Sequence, residues 1–346
     1  MGLKRDKALH ILQLSRHQYY YKPKAKRPGR APTQTTKQKQ GDIIMEVDNQ
    51  IVVDQMKTIQ SNPDIDYGYR KMYYALMIMG YLINHKKVYR LMFEHNMLKE
   101  FHKRSDKTYV AYRIVAPDGP LQVLEMDIKY VWITRDRRYA YILTVIDTFN
   151  RQVLLWELGF TMQSKQVQQV WQRIIVEHLQ PADMLNKHIR IEVRNDNGPQ
   201  FTAKKIQDFF RENHLNQVFT HPYTPQENGH IESFHSILSK ALSKQVFWNL
   251  EQLNERLILF YETYNNTRLH ASIANLPPRT FTELWNKGLI ERKVLAKNKV
   301  KFSLKIRYQQ LSGNENLREV PCLNEAIGPE TLQQPSVQRS PSVVPC

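Results

Sequence analysis

Val123-Leu124-Glu125-Met126-Asp127-Ile128-Lys129-Tyr130-Val131-Trp132-Ile133 is long enough and apolar enough to be a central strand of a sheet. Asp127 lies inside it between Met126 and Ile128. A carboxylate there is costly to desolvate unless a cation or hydrogen bonds compensate, which makes Asp127 a candidate for chemistry. The competing reading is an edge strand whose solvated face also carries Glu125 and Lys129.

Outward from this run, Leu121–Ile133, Arg138–Asp147 and Gln152–Gly159 read as three successive strands joined by short turns. A helix follows with Val167, Val170, Trp171, Ile174 and Ile175 on one face. Ile189, Ile191 and Val193 alternate in a fourth strand, a second helix carries Ile206, Phe209 and Phe210, and a short strand spans Gln217–Thr220. The Pro/Gly-rich loop His221–Gly229 then opens into a long helix with the stripe Ile231, Phe234, Leu238 and Ala241, and a last helix places Leu253, Leu257, Phe260, Tyr261 and Tyr264 at helical spacing. Three antiparallel strands followed by alternating helix and strand predict an α/β fold, a mixed sheet with helices on both faces.

Two more carboxylates stand at telling places. Asp196 ends the fourth strand, where open α/β sheets usually place their sites, although Asp196-Asn197-Gly198 is equally good turn chemistry. Glu232 falls in the first turns of the long helix, beside the buried stripe, with His235, Ser236 and Ser239 on its face. Two strand carboxylates and one helix carboxylate can converge on a pair of divalent ions, the arrangement that phosphoryl transfer uses. Oxygen ligands suit Mg2+ or Mn2+, two ions per active site, rather than zinc. Asp147 reads as a turn cap leading into Asn150, Trp132 and Trp156 as core or edge aromatics, and His221 and His235 as hydrogen-bonded structural residues.

Of the 346 residues, 50 are Lys or Arg and 33 are acidic, a formal charge of +17 that points to a polyanionic partner, nucleic acid above all. No long apolar span marks a membrane protein. The two cysteines, Cys322 and Cys346, exclude a disulfide framework and a cysteine zinc site, and they agree with a cytosolic setting. Residues 1–40 form a basic segment in which two short helices, Ala8–Leu14 and one capped by Ser15, lead into a Pro-broken linker. Residues 41–105 read as a small all-α, helix-turn-helix-like domain. In it Met72, Ala75, Leu76 and Met79 form one stripe, Gly80 ends the helix, and Asn84 caps the next, with Val88, Leu91 and Met92 inward. Arg70, Lys71, Lys86, Lys87 and Arg90 lie off these stripes as candidate phosphate contacts. Residues 106–285 form the core, and 286–346 an extension whose end, past about residue 311, has the Pro-, Ser- and Gln-rich composition of disorder.

Asp196-Asn197-Gly198-Pro199-Gln200-Phe201 and Pro222-Tyr223-Thr224-Pro225-Gln226-Glu227-Asn228-Gly229-His230-Ile231-Glu232 resemble the retroviral-integrase and DDE-transposase superfamily, in which 35 residues between the second and third acids are characteristic, as they are here. Tyr264-Asn265-Asn266-Thr267-Arg268-Leu269-His270 with Leu276-Pro277-Pro278 resembles the family's C-terminal signature. Tyr67-Gly68-Tyr69-Arg70-Lys71 with Asn84–Met92 resembles the helical domain of bacterial insertion-sequence transposases. The resemblance is nearest to the second-reading-frame product of insertion-sequence family three, and it covers roughly residues 5–285.

The resemblance implies a ribonuclease-H-like fold, and Asp127, Asp196 and Glu232 as catalytic metal ligands. It implies metal-dependent 3′-end cleavage and strand transfer of an insertion sequence into target DNA, with no covalent enzyme intermediate. Asn197, Tyr223, Gln226 and Asn228 would belong to the active-site loop. Many relatives carry Lys or Arg seven residues after the catalytic Glu; here that position is Ser239, and Lys240 follows as the candidate DNA contact. The implied partners are DNA (element ends and target), further copies of the chain on DNA, and an upstream-frame helix-turn-helix protein. The implied place is the bacterial cytoplasm at the nucleoid. An inactive or domesticated DNA-binding regulator is the alternative.

Overall fold

The computed structural model describes residues 5–22, 31–99, 115–187, 189–220, 228–295 and 299–311. The chain begins with α1 (Arg5–Ile11) and α2 (Arg16–Tyr20). Ser15 closes a capping box on α2. Its hydroxyl accepts from Gln18 N–H at 3.1 Å, and Gln18 Oε1 accepts from Ser15 N–H at 2.8 Å. The linker expected through residue 40 stops short, because Thr35–Gln40 is strand β1, which turns at Gly41 into β2 (Ile43–Asp48). The helical region follows as α3 (Asn49–Ser61), α4 (Tyr69–Ile78) and, after β3 (Tyr81–Leu82), α5 (His85–Glu94).

The expected all-α module therefore carries a small three-stranded sheet, β2-β1-β3. Thr35–Gln40 is polar, and in Ile43–Asp48 the apolar Ile43, Ile44 and Met45 follow one another and stay exposed, so neither segment shows an inside–outside alternation. Gly80 has φ +88°, and a Cβ on it would collide with the Lys39 carbonyl oxygen, so glycine both ends α4 and lets β1 approach. Asn84 Oδ1 accepts from Lys87 N–H at 2.8 Å, and Val88, Leu91 and Met92 are buried, as the pattern predicts.

The larger sheet is made of β4 (Val123–Ile133), β5 (Arg138–Asp147), β6 (Val153–Gly159), β7 (Ile191–Asn195) and β8 (Leu215–Phe219). Between them lie α6 (Ser164–Ile174), which runs on into a π turn, then α7 (Pro199–Thr202) and α8 (Lys204–Glu212); α9 (Gly229–Leu242), α10 (Leu250–Asn266) and α11 (Pro278–Asn286) follow. Strand order is β6-β5-β4-β7-β8, with β4, β5 and β6 antiparallel and β7 and β8 parallel to β4. This is the ribonuclease-H-like arrangement. β4 is a central strand, and Glu125 is fully buried, so the solvated-edge reading of Asp127 falls. β7 is buried along its whole length, so it shows no inside–outside alternation, and Ile189 stays outside it.

The two faces of β4 differ in chemistry. Leu124, Met126 and Ile128 join the core under α6 and α8, which contribute Val167, Val170, Trp171, Ile174, Ile206, Phe209 and Phe210. On the other face α9 and α10 pack through Ile231, Phe234, Leu238, Leu242, Leu253, Leu257, Phe260, Tyr261 and Tyr264. Leu242, not Ala241, completes the α9 stripe. There β4 offers Glu125, Asp127 and Lys129 before the apolar Val131 and Ile133. Trp156 stacks on Tyr261 at 4.8 Å, and Tyr261 hydroxyl bonds Thr144 Oγ1 at 2.7 Å.

The extension past residue 285 is not separate from the rest. β9 (Ile290–Leu295) and β10 (Lys299–Leu304) form a ribbon, and Ile290 shares one core with Val53, Met72, Leu76 and Phe281. Phe302 stands edge-on to Phe149 at 5.1 Å and Phe281 at 5.0 Å. The tail read as disordered, with both cysteines, lies outside the described residues. No described helix is long and apolar enough to cross a membrane.

Trp171 is fully buried, edge-on to Phe210 at 5.1 Å, with its indole N–H on Met126 Sδ at 3.1 Å. Trp171→Ala is expected to lower stability by about 3–5 kcal/mol. Urea unfolding followed by circular dichroism measures this; an unchanged midpoint would remove the face under α6 from the account of the core.

Candidate active site

The β4–β7 register pairs Val123 with Glu192, Leu124 with Val193 and Glu125 with Arg194. Carried two residues further, it brings Asp127 level with Asp196 just past the end of β7. Asp127 Oδ1 accepts from Ile128 N–H at 2.8 Å, and Oδ2 lies 3.2 Å from His235 Nδ1. Asp196 Oδ1 accepts from Gly198 N–H at 3.0 Å. Burial pushes the Asp196 carboxyl above its usual range, and the charge on Asp127 pushes the same way against the stabilising Gly198 bond. The two side chains thus sense each other.

Glu232 is in the first turn of α9 and exposed to solvent. It and His235 are three residues apart, so they share a helix face, and that face is pinned to Asp127 through His235. His235 therefore has the structural partner expected of it, and that partner is a candidate catalytic acid.

Sequence reasoning passed over Glu125. Its Oε2 accepts from two backbone donors at the start of α9, His230 N–H at 3.0 Å and Ile231 N–H at 2.8 Å. These are groups that a helix leaves without intrahelical partners. Glu125 thus anchors the helix that carries Glu232 to the strand that carries Asp127. Burial pushes its carboxyl up to about 7, against the opposing pull of the Ile231 and His230 bonds and of Arg151 and Arg194. The signal was available: Glu125 is two residues from Asp127, hence on the same strand face, in an otherwise apolar run.

The loop residues divide. Asn197 Nδ2 donates to Thr220 O at 3.2 Å, tying the ends of β7 and β8 together. Asn228 is buried at the start of α9 and makes no side-chain cap bond there. Tyr223 and Gln226 lie outside the described residues, as does His221. Asp147 is a buried turn residue that accepts from Phe149 and Leu121 N–H, both at 2.9 Å.

The basic candidates do not form one bare face. Arg70 and Lys86 are exposed. Lys71 is half-buried with its Nζ 5.8 Å from the Tyr67 ring, and desolvation, aided by Arg268, brings its amine down to about 8. Lys87 donates to Thr33 Oγ1 at 3.0 Å and Thr35 O at 2.6 Å; Arg90 reaches Thr33 O and Glu94, both at 3.3 Å. Both thereby hold the chain entering β1. Lys240 is exposed and pairs with Asp66, which lies ahead of α4.

Among the described residues no group of three His, Cys, Asp or Glu side chains forms a finished metal cage. The donor types nonetheless suit a hard divalent cation: the carboxylates of Asp127 on β4, Asp196 just past β7 and Glu232 on α9. Glu125→Ala is expected to cost about 1–3 kcal/mol, because it strands two buried N–H donors. Glu125→Gln keeps an acceptor. Since the folded carboxyl titrates at about 7 and the free one at 4.5, the wild type holds the extra proton when folded and should lose stability relative to Glu125→Gln as pH rises across that window. Urea unfolding of both proteins at several pH values tests this, and a pH-independent difference would contradict it.

Residues 117–225 and 213–278 match models of the integrase core domain, and residues 47–105 match the HTH-like domain. An uncharacterized protein of insertion element IS476 from Xanthomonas euvesicatoria is 28% identical over 62% of this chain and 60% of its own length. The transposase for insertion sequence element IS904 from Lactococcus lactis subsp. lactis is 24% identical over 68% of this chain and 95% of its own length. Among solved structures, a Mos1 transposase catalytic domain with Raltegravir and Mg is 17% identical, with a TM-score of 0.37, over 48% of this chain and 78% of that one. Residues 117–278 thus carry matches to the integrase core domain, and residues 47–105 ahead of them a match to the HTH-like domain.

Proposed function

We propose that the chain is a DNA transposase that cuts the 3′ ends of an insertion sequence and joins them to target DNA. The observation that carries this reading is the parallel β4–β7 register, which brings Asp127 level with Asp196 beneath the helix face bearing Glu232. Relatives named as transposases or proteins of insertion elements support it. In the first step the oxygen of water attacks a phosphorus at the element's end, and the bond to the 3′ oxygen breaks to leave a free 3′-hydroxyl. In the second, that hydroxyl oxygen attacks a target phosphorus, and the target's own 3′ oxygen departs.

Asp127, Asp196 and Glu232 would hold two Mg2+ or Mn2+ ions. When bound, such ions supply charge stabilisation for the attacking and leaving oxygens. The chain's own part is to set the geometry. His235 orients Asp127, Gly198 N–H fixes Asp196, and Glu125 fixes the start of α9. DNA is the partner, with the exposed Arg70 and Lys86 as phosphate contacts. Several copies on DNA and an upstream-frame helix-turn-helix protein complete the working assembly.

Asp127→Asn, Asp196→Asn and Glu232→Gln are each expected to slow Mg2+- or Mn2+-dependent cleavage and joining of DNA by roughly a thousandfold or more, on the order of 4 kcal/mol of barrier. Binding of the same DNA should change little. Near-normal cleavage by any one variant would remove that residue from the site, and an inactive wild type that still binds DNA would favour the regulator.

A further inference from the structure

Beyond Asp127, β4 outruns its parallel neighbour. β7 ends at Asn195, so residues 128–133 continue alongside β5 as a ribbon past the ends of β7 and β8. β6 supports it as far as Tyr141, which pairs with Gly159 and stands opposite Tyr130. The outer edge of β4 is bridged by the segment before α10, with Thr134 N–H on Phe247 O and Arg135 N–H on Trp248 O, both at 2.9 Å. One face of the ribbon is sealed under α9 and α10 by Ile133, Ala140 and Ile142.

The other face is a ladder of rings in solvent. Tyr130 pairs across the strands with Tyr141, and Trp132 with Tyr139, each pair edge-on at 5.0 and 5.1 Å. Tyr130, Trp132 and Tyr139 are 55%, 47% and 54% exposed. Sheets ordinarily bury such rings, and a contiguous exposed apolar patch marks a binding surface. Arg135 and Arg137 stand at the tip of the ribbon with the single acid Asp136 between them, while Lys129 and Arg138 belong to the opposite face, Arg138 over the Phe160 ring. No described acidic group pairs with Arg135 or Arg137. The ladder begins at Tyr130, three residues along β4 from Asp127 and on the opposite face of the strand.

Flat rings with cations at one end of them fit nucleobases strung on a phosphate backbone, since every base offers a π-face and the arginines meet the phosphates. A second copy of this chain fits worse, because it would bring Arg135 and Arg137 against their own equivalents in a chain of charge +17. We propose that the exposed face of the β4–β5 ribbon, with Tyr130, Trp132 and Tyr139 as its rings and Arg135 and Arg137 at its tip, is a stacking platform for unpaired bases of the DNA strand being processed. The proposal rests on the transposase reading for its ligand and adds to it where the strand goes once its bases leave the duplex.

The test compares binding of two fluorescent DNAs without divalent metal, a blunt duplex and the same duplex with a short unpaired extension. The wild type should prefer the extended DNA. Trp132→Ala and Tyr139→Ala should each weaken binding of the extended DNA by about tenfold while leaving the blunt duplex unaffected, and Trp132→Phe should keep the preference. These rings are exposed, so thermal unfolding of the variants should match the wild type. Equal affinity of wild type and both alanine variants for the extended DNA would overturn the proposal. So would loss of a dimer by Trp132→Ala in sedimentation velocity, which would give the face to a second copy. The assay needs no cleavage: a chain that holds the extension through Trp132 yet cuts no DNA would undo the catalytic reading and leave the platform standing.

Discussion

A fully buried carboxylate, Glu125, accepts the first free N–H groups of α9 from the middle of the central strand. The arrangement of the site depends on this contact. Helix starts carry partial positive charge, so a carboxylate there is electrostatically favoured, and in a buried setting the attraction is little screened. The bond fixes which turn of α9 meets β4. With that turn set, His235 falls on Asp127, and Glu232 falls on the same helix face one turn earlier. A helix docked only by its apolar stripe would have Ile231, Phe234, Leu238 and Leu242 to guide it, and such packing tolerates small slides better than a pair of directed hydrogen bonds does.

The central strand divides the labour by parity. Its even positions 124, 126 and 128 are apolar and build the core under α6 and α8, while odd positions 125 and 127 hold carboxylates beneath α9. Two residues further, the even side turns aromatic and solvent-facing as the ribbon passes beyond α6, and the odd side turns apolar at Val131 and Ile133. One period-two alternation thus supplies the core, the site and an outer surface in eleven residues.

Much of this was legible in the sequence because the core elements have strong periodicity. The long apolar run of β5 and the stripe Val167, Val170, Trp171, Ile174 marked strand and helix, and the caps at Ser15 and Asn84 appear where side-chain chemistry puts them. What escaped has physical causes. β1 is polar and β2 leaves its run Ile43, Ile44 and Met45 exposed, so neither alternates, and they owe their pairing to backbone bonds and the Gly41 turn. β7 was found from Ile191 and Val193, but that alternation did not reveal that Glu192 and Arg194 between them are buried as well and pair with each other. Lys87 and Arg90 read as free cations, but they hold the chain entering β1, a partner more than fifty residues away that spacing along one helix cannot reveal. Glu125 was visible as a residue, yet its task depends on a contact with α9 more than a hundred residues on.

The account's central claim is that Asp127, Asp196 and Glu232 work as one cation site set by Glu125. Titration with Mn2+, following the free ion by electron paramagnetic resonance, tests it most directly. The account predicts that the wild type and Glu125→Gln bind Mn2+ alike, that Asp127→Asn and Asp196→Asn lose most binding, and that Glu125→Ala, although still folded, binds more weakly because α9 is no longer anchored. Mn2+ binding unchanged in Asp127→Asn or Asp196→Asn would contradict it.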